Sequence, residues 1–141
     1  MKSKTVVIFG VFDGVHEGHR KFIGQAKEQG AKLVAIVARD ESVKRIKNKI
    51  PIHNEKDRLN TVSKIKEINL AILGDSEQGI YNILKEINPD IIFLGYDQID
   101  LYNDLIEKID KGFLPQIELI IGEAYQPEKF HSSILNNPFS I

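Results

Sequence analysis

Five short, largely apolar runs divide the chain at intervals and limit the folds that are open to it. They span residues 5–9, 33–38, 71–73, 91–94 and 117–121. Runs without a regular alternation of apolar and polar residues are typical of strands that are buried on both faces, as in a parallel sheet. The runs 5–9 and 33–38 are therefore expected to be strands buried on both faces, and the other three runs are expected to be strands as well.

Helical spacing of apolar residues appears between the runs. The predicted apolar faces are, in chain order, His19/Phe22/Ile23/Ala26, then Leu59/Val62/Ile65 with Ile68 or Leu70, then Ile80/Ile83/Leu84/Ile87, and last Leu101/Leu105/Ile106/Ile109. Asn54, with Asp57 three residues later, predicts a helix start. The polar, basic stretch 43–49 fits one short helical piece closed by Pro51, and 132–135 predict a short terminal helix.

The resulting order of strand and helix predicts an α/β fold of three layers around a five-stranded parallel sheet, with right-handed crossovers. A chain of 141 residues is expected to form one domain over 1–141. Residues 1–4 pass directly into a predicted strand, so no signal peptide is expected.

Composition excludes several classes of protein. The net charge is −1, which argues against a nucleic-acid partner, and no apolar run approaches the ~18 residues that span a membrane. The sequence has no cysteine, which excludes disulfides, thiolate metal sites and a cysteine nucleophile. It also fits a reducing compartment, so we expect a cytoplasmic protein.

The stretch 10–19, between the first strand and the first helix, is rich in glycine and carries two histidines. Backbone N–H groups at a helix start are unpaired and the helix dipole favours an anion there, so such a loop can receive phosphate. His16 and His19 add donors that become cationic near neutral pH. The alternatives are a plain turn with two surface histidines, or a metal pair. A metal pair is disfavoured because only His53 and His131 remain as partners and the H-E-x-x-H spacing is absent.

The pattern Gly10-x-Phe12-Asp13-x-x-His16-x-Gly18-His19 resembles the signature of the H-x-G-H nucleotidyltransferase superfamily, the cytidylyltransferase-like group. The resemblance implies a Rossmann-like fold and transfer of a nucleotidyl group from a nucleoside triphosphate to a phosphate acceptor. It also implies that His16 and His19 contact phosphates and stabilise the transition state. For this fold class we assume the strand order 3-2-1-4-5, which places the loops 10–19 and 95–98 in one crevice.

Further segments resemble the archaeal FAD synthases of this superfamily, which transfer AMP from ATP to FMN with a divalent cation. They are 37–41, Pro51 with Arg58, 71–74, 89–98 and 131–133. The resemblance implies ATP and FMN as substrates, a Mg²⁺-like ion held mainly through substrate phosphates, and a possible homodimer. Two alternatives stay open. One is a cytidylyltransferase acting on a phosphorylated polyol such as glycerol-3-phosphate, although the late Arg-Thr-Glu-Gly-Ile-Ser-Thr-Thr segment of those enzymes is absent. The other is a non-catalytic nucleotide-binding regulatory protein on the same fold.

The predicted catalytic residues are therefore His16 and His19, with no dedicated metal ligand. The predicted nucleotide-binding residues are Val11, Phe12, His16, Glu17, Gly18, His19, Asp97, Tyr125, Ser132 and Ser133.

Ordinary structural roles compete with several of these assignments. Asp97 can instead cap the next helix, although its place after the fourth strand favours the site. Ser132 and Ser133 can form a plain N-cap, and Tyr125 can simply pack. The basic run Lys44/Arg45/Lys47/Lys49 is a solvated face or a source of one phosphate contact. For Arg58, a phosphate contact and a surface ion pair are both open.

Overall fold

A sheet of five parallel strands forms the middle of the molecule. The computed structural model describes residues 3–14, 17–47, 50–77 and 79–122. The strands are β1 (Thr5–Gly10), β2 (Lys32–Val37), β3 (Leu70–Leu73), β4 (Ile91–Leu94) and β5 (Glu118–Ile121). Their spatial order is β3-β2-β1-β4-β5, and all four pairings are parallel. The predicted sheet and strand order are confirmed.

Five helices of the described chain connect or follow these strands. They are α1 (Glu17–Lys27), α2 (Asp40–Lys47), α3 (Glu55–Ser63), α4 (Asn82–Ile87) and α5 (Ile99–Asp110). Asn54 is the N-cap of α3, and its side chain accepts a 2.8 Å hydrogen bond from the Asp57 backbone N–H, as the sequence predicts. None of the described helices has the length and apolar character needed to cross a bilayer.

Two apolar cores lie on opposite faces of the sheet, which gives the predicted three layers. On one face, side chains of α1 and α3 such as Ile23 and Val62 pack against Ile8 and Ala35 of the strands. On the other face, side chains of α4 and α5 pack against Val7, Ile36 and Leu94; they include Leu84, Leu101, Leu105 and Ile109. Each fully buried aliphatic side chain contributes about 1.5–3 kcal/mol, so the strands are held from both faces.

Three helix boundaries differ from the sequence prediction. Helix α3 ends at Ser63, because the chain turns where the Ile65 N–H donates to the Val62 carbonyl and the Ile68 N–H donates to the Ile65 carbonyl. Ile65 and Ile68 are nevertheless buried in the core against α3, so their spacing imitates another helical turn. Helix α2 starts at Asp40, before the predicted stretch 43–49.

Helix α4 starts later than its apolar spacing indicates. Tyr81 has a φ of 56°, in the left-handed region, and is the N-cap of α4. Ile80 therefore lies outside the helix and is 39% exposed. The terminal helix predicted over 132–135 lies outside the described residues.

Candidate active site

The loops that follow β1 and β4 meet at the carboxyl edge of the sheet. β1 and β4 are neighbours, with Val6 opposite Ile91. The fully buried Gln98 joins the loop after β4 to the end of β1: its Nε2 donates to the Phe9 carbonyl at 3.0 Å and its Oε1 accepts from the Gly95 N–H of its own loop at 2.9 Å. The assumed strand order is confirmed, the shared crevice of the two loops stays a prediction, and Gln98 is a structural link that sequence reasoning did not assign.

The backbone after β1 reverses sharply. Gly14 has a φ of 84° and Phe12 a φ of 56°, so a residue with a side chain occupies the left-handed region. Such a conformation costs on the order of 1–3 kcal/mol and persists where the surroundings enforce it. Here the Phe12 ring is 1% exposed and lies in the core under α1. Its burial offsets the strain, and any contact of Phe12 with a ligand falls to its main chain.

His19 lies in the first turn of α1, where the helix dipole favours negative charge. The side chain is 4% exposed, and its ring centroid is 6.0 Å from that of Phe12. Glu17 and Gly18 form the first two residues of the same helix. The buried Phe12 ring thus supports His19 at the carboxyl edge of the sheet. His16 lies outside the described residues.

Asp97 follows β4 and is 7% exposed. The N-cap residue of α5 is Gln98, which follows Asp97 directly. Burial, and secondarily the Asp97 carboxylate, raise the pKa of the neighbouring Tyr96 hydroxyl above its ordinary value. Asp97 is thus a buried acidic group in the loop after β4, and its role in nucleotide binding stays a prediction.

Arg58 is 1% exposed and anchors the loop after β1 from α3. Its Nη1 donates to the carbonyls of Val11 and Ala38, both at 2.8 Å, and its Nε donates to the His53 carbonyl at 3.0 Å. Its Nη2 lies 2.7 Å from Asp40 Oδ1. Arg58 therefore forms an ion pair in which its own side chain is buried and that of Asp40 is 37% exposed, and all three nitrogens of Arg58 have protein partners.

Asp13 holds the segment before α3 against the same loop. Its carboxylate accepts hydrogen bonds from the N–H groups of Ile52 and His53 at 2.8 and 2.9 Å, and Oδ1 lies 2.9 Å from His53 Nδ1. Partial burial alone would raise the pKa of Asp13. The hydrogen bonds from the two N–H groups, and then the His53 ring, outweigh it and bring the pKa below its ordinary value. Asp13 is thus a positioning residue of the loop.

Two residues of the basic run after β2 have described side chains, and both are exposed. Lys44 and Arg45 both lie at the surface of α2, and Arg45 contacts the Ser76 carbonyl at 2.9 Å and Glu41 at 3.5 Å. Arg39, just before α2, donates to the Gly74 carbonyl at 2.7 Å. These contacts join the segment after β2 to the segment after β3. A phosphate contact from the basic run stays a prediction.

A cleft of about 640 Å³ opens beside the loop after β1, on the face of the sheet that carries α4 and α5. This volume lies within the ~300–1,000 Å³ of small-molecule sites. Gly10 and Val11 line one part of the cleft. The lining also includes the apolar side chains of Phe9, Ile36, Ile83 and Leu101 and the polar side chains of Asp75, Tyr81, Asp104 and Lys108. No local sequence pattern reveals this cleft, because residues from five helices and strands and from the loops between them line it.

The C-terminal part of the predicted site is not described by the structure. Tyr125, Ser132 and Ser133 lie outside the described residues, so their role in nucleotide binding stays a prediction. Within the described ranges, no group of three or more histidine, aspartate or glutamate side chains is placed to hold a metal ion.

The comparison with known proteins matches nearly the whole chain. The family described as cytidylyltransferase-like matches residues 7–135. A protein of Thermococcus sibiricus named FAD synthase is 36% identical over 127 residues, which cover 90% of this chain and 86% of that protein. A protein of Thermoplasma acidophilum with the same name is 41% identical over 106 residues, covering 75% of this chain and 73% of that protein.

A solved structure gives the same result for the fold. The crystal structure of a Thermoplasma volcanium protein, described as a lipopolysaccharide core biosynthesis protein, matches with a TM-score of 0.80 at 36% identity. The match covers 89% of this chain and 100% of that chain.

Proposed function

The chain belongs to the cytidylyltransferase-like family, and we propose that it acts as an FMN adenylyltransferase, which converts ATP and FMN to FAD and pyrophosphate. The observation that carries the proposal is the cleft of about 640 Å³ beside the loop after β1. Phe9 and Tyr81 pack edge to face in its wall, with ring centroids 6.3 Å apart. The name FAD synthase of the two relatives supports the same reaction.

The cleft also bears on the competing acceptor. A phosphorylated polyol such as glycerol-3-phosphate has no ring to place against the apolar residues Phe9, Ile36 and Leu101, whereas FMN does. Burial of apolar ligand surface against such residues is the usual source of affinity in a pocket of this size. The acceptor we propose is therefore FMN, bound with its ring in the cleft and its phosphate towards the loop after β1.

The reaction needs no covalent intermediate. An oxygen of the FMN phosphate attacks the α-phosphorus of ATP, a new P–O bond forms, and the bond to the β-phosphate oxygen breaks to release pyrophosphate. Holding the two substrates in line supplies much of the rate. His16 and His19 stabilise the negative charge that builds up on the α-phosphoryl oxygens, and the main chain of Val11 and Phe12 cradles the phosphates.

The other predicted nucleotide-binding residues surround this centre. Glu17 and Gly18 contribute backbone N–H groups at the start of α1. Asp97 holds the nucleoside from the loop after β4. Tyr125, Ser132 and Ser133 close the site from the C-terminal segment, with the serines on the outer phosphates. Asp97 is supported by its burial beside the crevice.

A divalent ion of the Mg²⁺ type is part of the proposal. We propose that this ion reaches the site on the phosphates of ATP, because Mg²⁺ is usually bound through substrate phosphates together with one or two carboxylates. Such an ion neutralises phosphate charge and orients the leaving group. We propose a cytoplasmic location, since the sequence has no cysteine. A homodimer is a further proposal, and light scattering would test it.

The test pairs each acceptor with each nucleotide. The purified protein is incubated with FMN or glycerol-3-phosphate, each with ATP or CTP and a divalent ion, and pyrophosphate and FAD are measured. Of the four pairs, we expect only ATP with FMN to give pyrophosphate and FAD. Pyrophosphate only from CTP and glycerol-3-phosphate would establish the polyol enzyme instead. No release from any pair, despite nucleotide binding, would establish the regulatory module.

The role of His19 is tested in the same assay. His19→Ala is expected to lower kcat by about 10²–10³-fold, the usual loss for one donor to a developing oxyanion. Lys32→Ala is the control, because exposed Lys32 starts β2 at the opposite edge of the sheet. Full activity of His19→Ala would contradict the assigned role.

A further inference from the structure

A mixed polar cluster forms part of the cleft wall contributed by α5 and the turn before α4. Tyr81 Oη donates to Asp104 Oδ2 at 2.5 Å, and Lys108 Nζ donates to Asp104 Oδ1 at 3.0 Å. All three residues line the cleft. We call Tyr81, Asp104 and Lys108 the polar wall.

The polar wall is partly shielded but keeps contact with the cleft. The side chain of Lys108 is 24% exposed and that of Asp104 35% exposed. Gly79, with a φ of 81°, lies against the cluster: a Cβ there would be 3.7 Å from Asp104 Oδ2 and 3.8 Å from Lys108 Nζ. A charged pair in such a place is less screened than a surface pair and interacts more strongly with a ligand.

The hydrogen-bonding capacity of the wall is not used up by its internal bonds. A carboxylate offers about four acceptor positions and an ammonium three donors. Among the described residues, Asp104 accepts one hydrogen bond from Tyr81 and one from Lys108, and the Lys108 ammonium donates to Asp104 alone. Asp104 can therefore accept a further N–H, and Lys108 can donate to a further carbonyl.

We propose that the polar wall recognises the imide edge of the acceptor's pyrimidine-type ring, so that Asp104 accepts its N–H and Lys108 donates to an adjacent carbonyl. The inference rests on the proposed function and names the specificity determinant of its acceptor site. The edge of the flavin ring presents carbonyl, N3–H and carbonyl in a row. The adjacent acceptor and donor of Asp104 and Lys108 match two neighbouring groups of that row.

Tyr81 acts as a positioning residue in this arrangement. Burial, then the hydrogen bond to Asp104 and the charge of that carboxylate, raise the pKa of Tyr81 far above its ordinary value. Its hydroxyl therefore stays protonated and fixes Asp104 Oδ2, while its ring packs on Phe9. The carboxylate is thus oriented before the ligand arrives, which lowers the entropic cost of binding.

The alternative to this proposal is that Asp104 and Lys108 form only an ordinary ion pair on the surface of a helix. Helix α5 contains a matched control for that alternative. Lys111 and Glu107 form the same i,i+4 pair at 2.7 Å, but their side chains are 58% and 52% exposed and neither lines the cleft. The variants Asp104→Leu and Lys108→Met are therefore compared with Glu107→Leu and Lys111→Met. Steady-state kinetics with FMN and ATP, and thermal unfolding, are measured for each.

The second arm needs no variant. FMN methylated at N3 lacks the N–H that Asp104 would accept, so the wild-type protein is expected to show a KM about 10- to 100-fold higher for this analogue than for FMN. In Asp104→Leu the KM for FMN should rise by a similar factor and the analogue should be used equally well. Lys108→Met should raise the KM for FMN, and its KM for the N3-methyl analogue should still be higher than that for FMN. The KM for ATP, and both control variants, should be unchanged.

The outcomes separate this inference from the proposed function. If the wild-type protein forms no FAD from FMN, the proposed function fails and this assignment fails with it. If the wild-type protein makes FAD but uses the N3-methyl analogue with the KM of FMN, the recognition role is wrong while the function stands. The wild-type arm decides the question even if Asp104→Leu does not fold.

Discussion

A single buried cation, Arg58, determines how the loop after β1 is held. Its guanidinium bonds carbonyls from three chain segments and pairs with Asp40. The planar fork of arginine allows such divergent bonds, and a lysine ammonium has no such fork. The sequence left a phosphate contact and a surface ion pair open for this charge, and the structure shows a buried side chain that supports the loop through protein partners.

Removing this brace should destabilise the protein. Arg58→Met leaves buried carbonyls without donors and Asp40 without its cation, so we expect the free energy of unfolding to fall by about 3–5 kcal/mol. Arg58→Lys should recover only part of this loss. Urea unfolding midpoints measure both, and Arg45→Met on the exposed face of α2 serves as the control, within about 0.5 kcal/mol of wild type. An equal effect at both positions would show that Arg58 has no special role.

Asp13 should make the free energy of unfolding depend on pH in the acidic range. Its pKa is lowered in the folded state, so its contribution is complete above the unfolded-state pKa of about 3.9 and is lost as the pH falls through the lower folded-state pKa. We expect Asp13→Asn to unfold at lower urea than wild type at pH 6, and the difference between them to shrink below about pH 4. For the exposed control Asp110→Asn, the difference in urea midpoint from wild type should not shrink as the pH falls. If the difference between wild type and Asp13→Asn stays constant down to pH 3, the pH dependence assigned to Asp13 is wrong.

At the scale of elements, one side chain joins the loop after β4 to the end of β1. Gln98 lies 89 residues from Phe9 in the chain, yet it bonds the Phe9 carbonyl and the Gly95 N–H. It also serves as the N-cap of α5, so the start of that helix is tied to the end of β1. The carboxyl ends of β1 and β4 are therefore linked by an amide that donates to β1 and accepts from its own loop.

Replacing that amide should detach the loop after β4 from the end of β1. Gln98→Leu leaves a buried N–H and a buried carbonyl unpaired, at a cost of about 1–3 kcal/mol for each group. We expect lower thermal stability and a lower kcat/KM for FAD formation, because the loop after β4 no longer keeps its position relative to β1. Gln116→Leu, at an exposed position, is the matched control and should behave like wild type. Normal kinetics in a destabilised Gln98→Leu would restrict its role to folding.

At the scale of the whole molecule, the fold was predictable and the fine structure of the site was not. Short apolar runs and helical spacing are local signals, and they determine a parallel α/β sheet once the crossover rules apply. The bond from Arg58 to Val11 spans 47 residues and that from Gln98 to Phe9 spans 89, so no local pattern contains them. The same limit explains the wrong end of α3, because tertiary burial of Ile65 and Ile68 imitates helical spacing.

The position of β1 in the middle of the sheet has a consequence for synthesis. β1, β2 and β3 are complete by Leu73, but the other neighbour of β1 begins only at Ile91. A nascent chain that has folded its first half carries β1 as an open edge, with unpaired N–H and carbonyl groups beside apolar side chains such as Val7. Open edges of this kind recruit other strands. The interval before β4 emerges is therefore the stage of synthesis at which this chain is most exposed to aggregation.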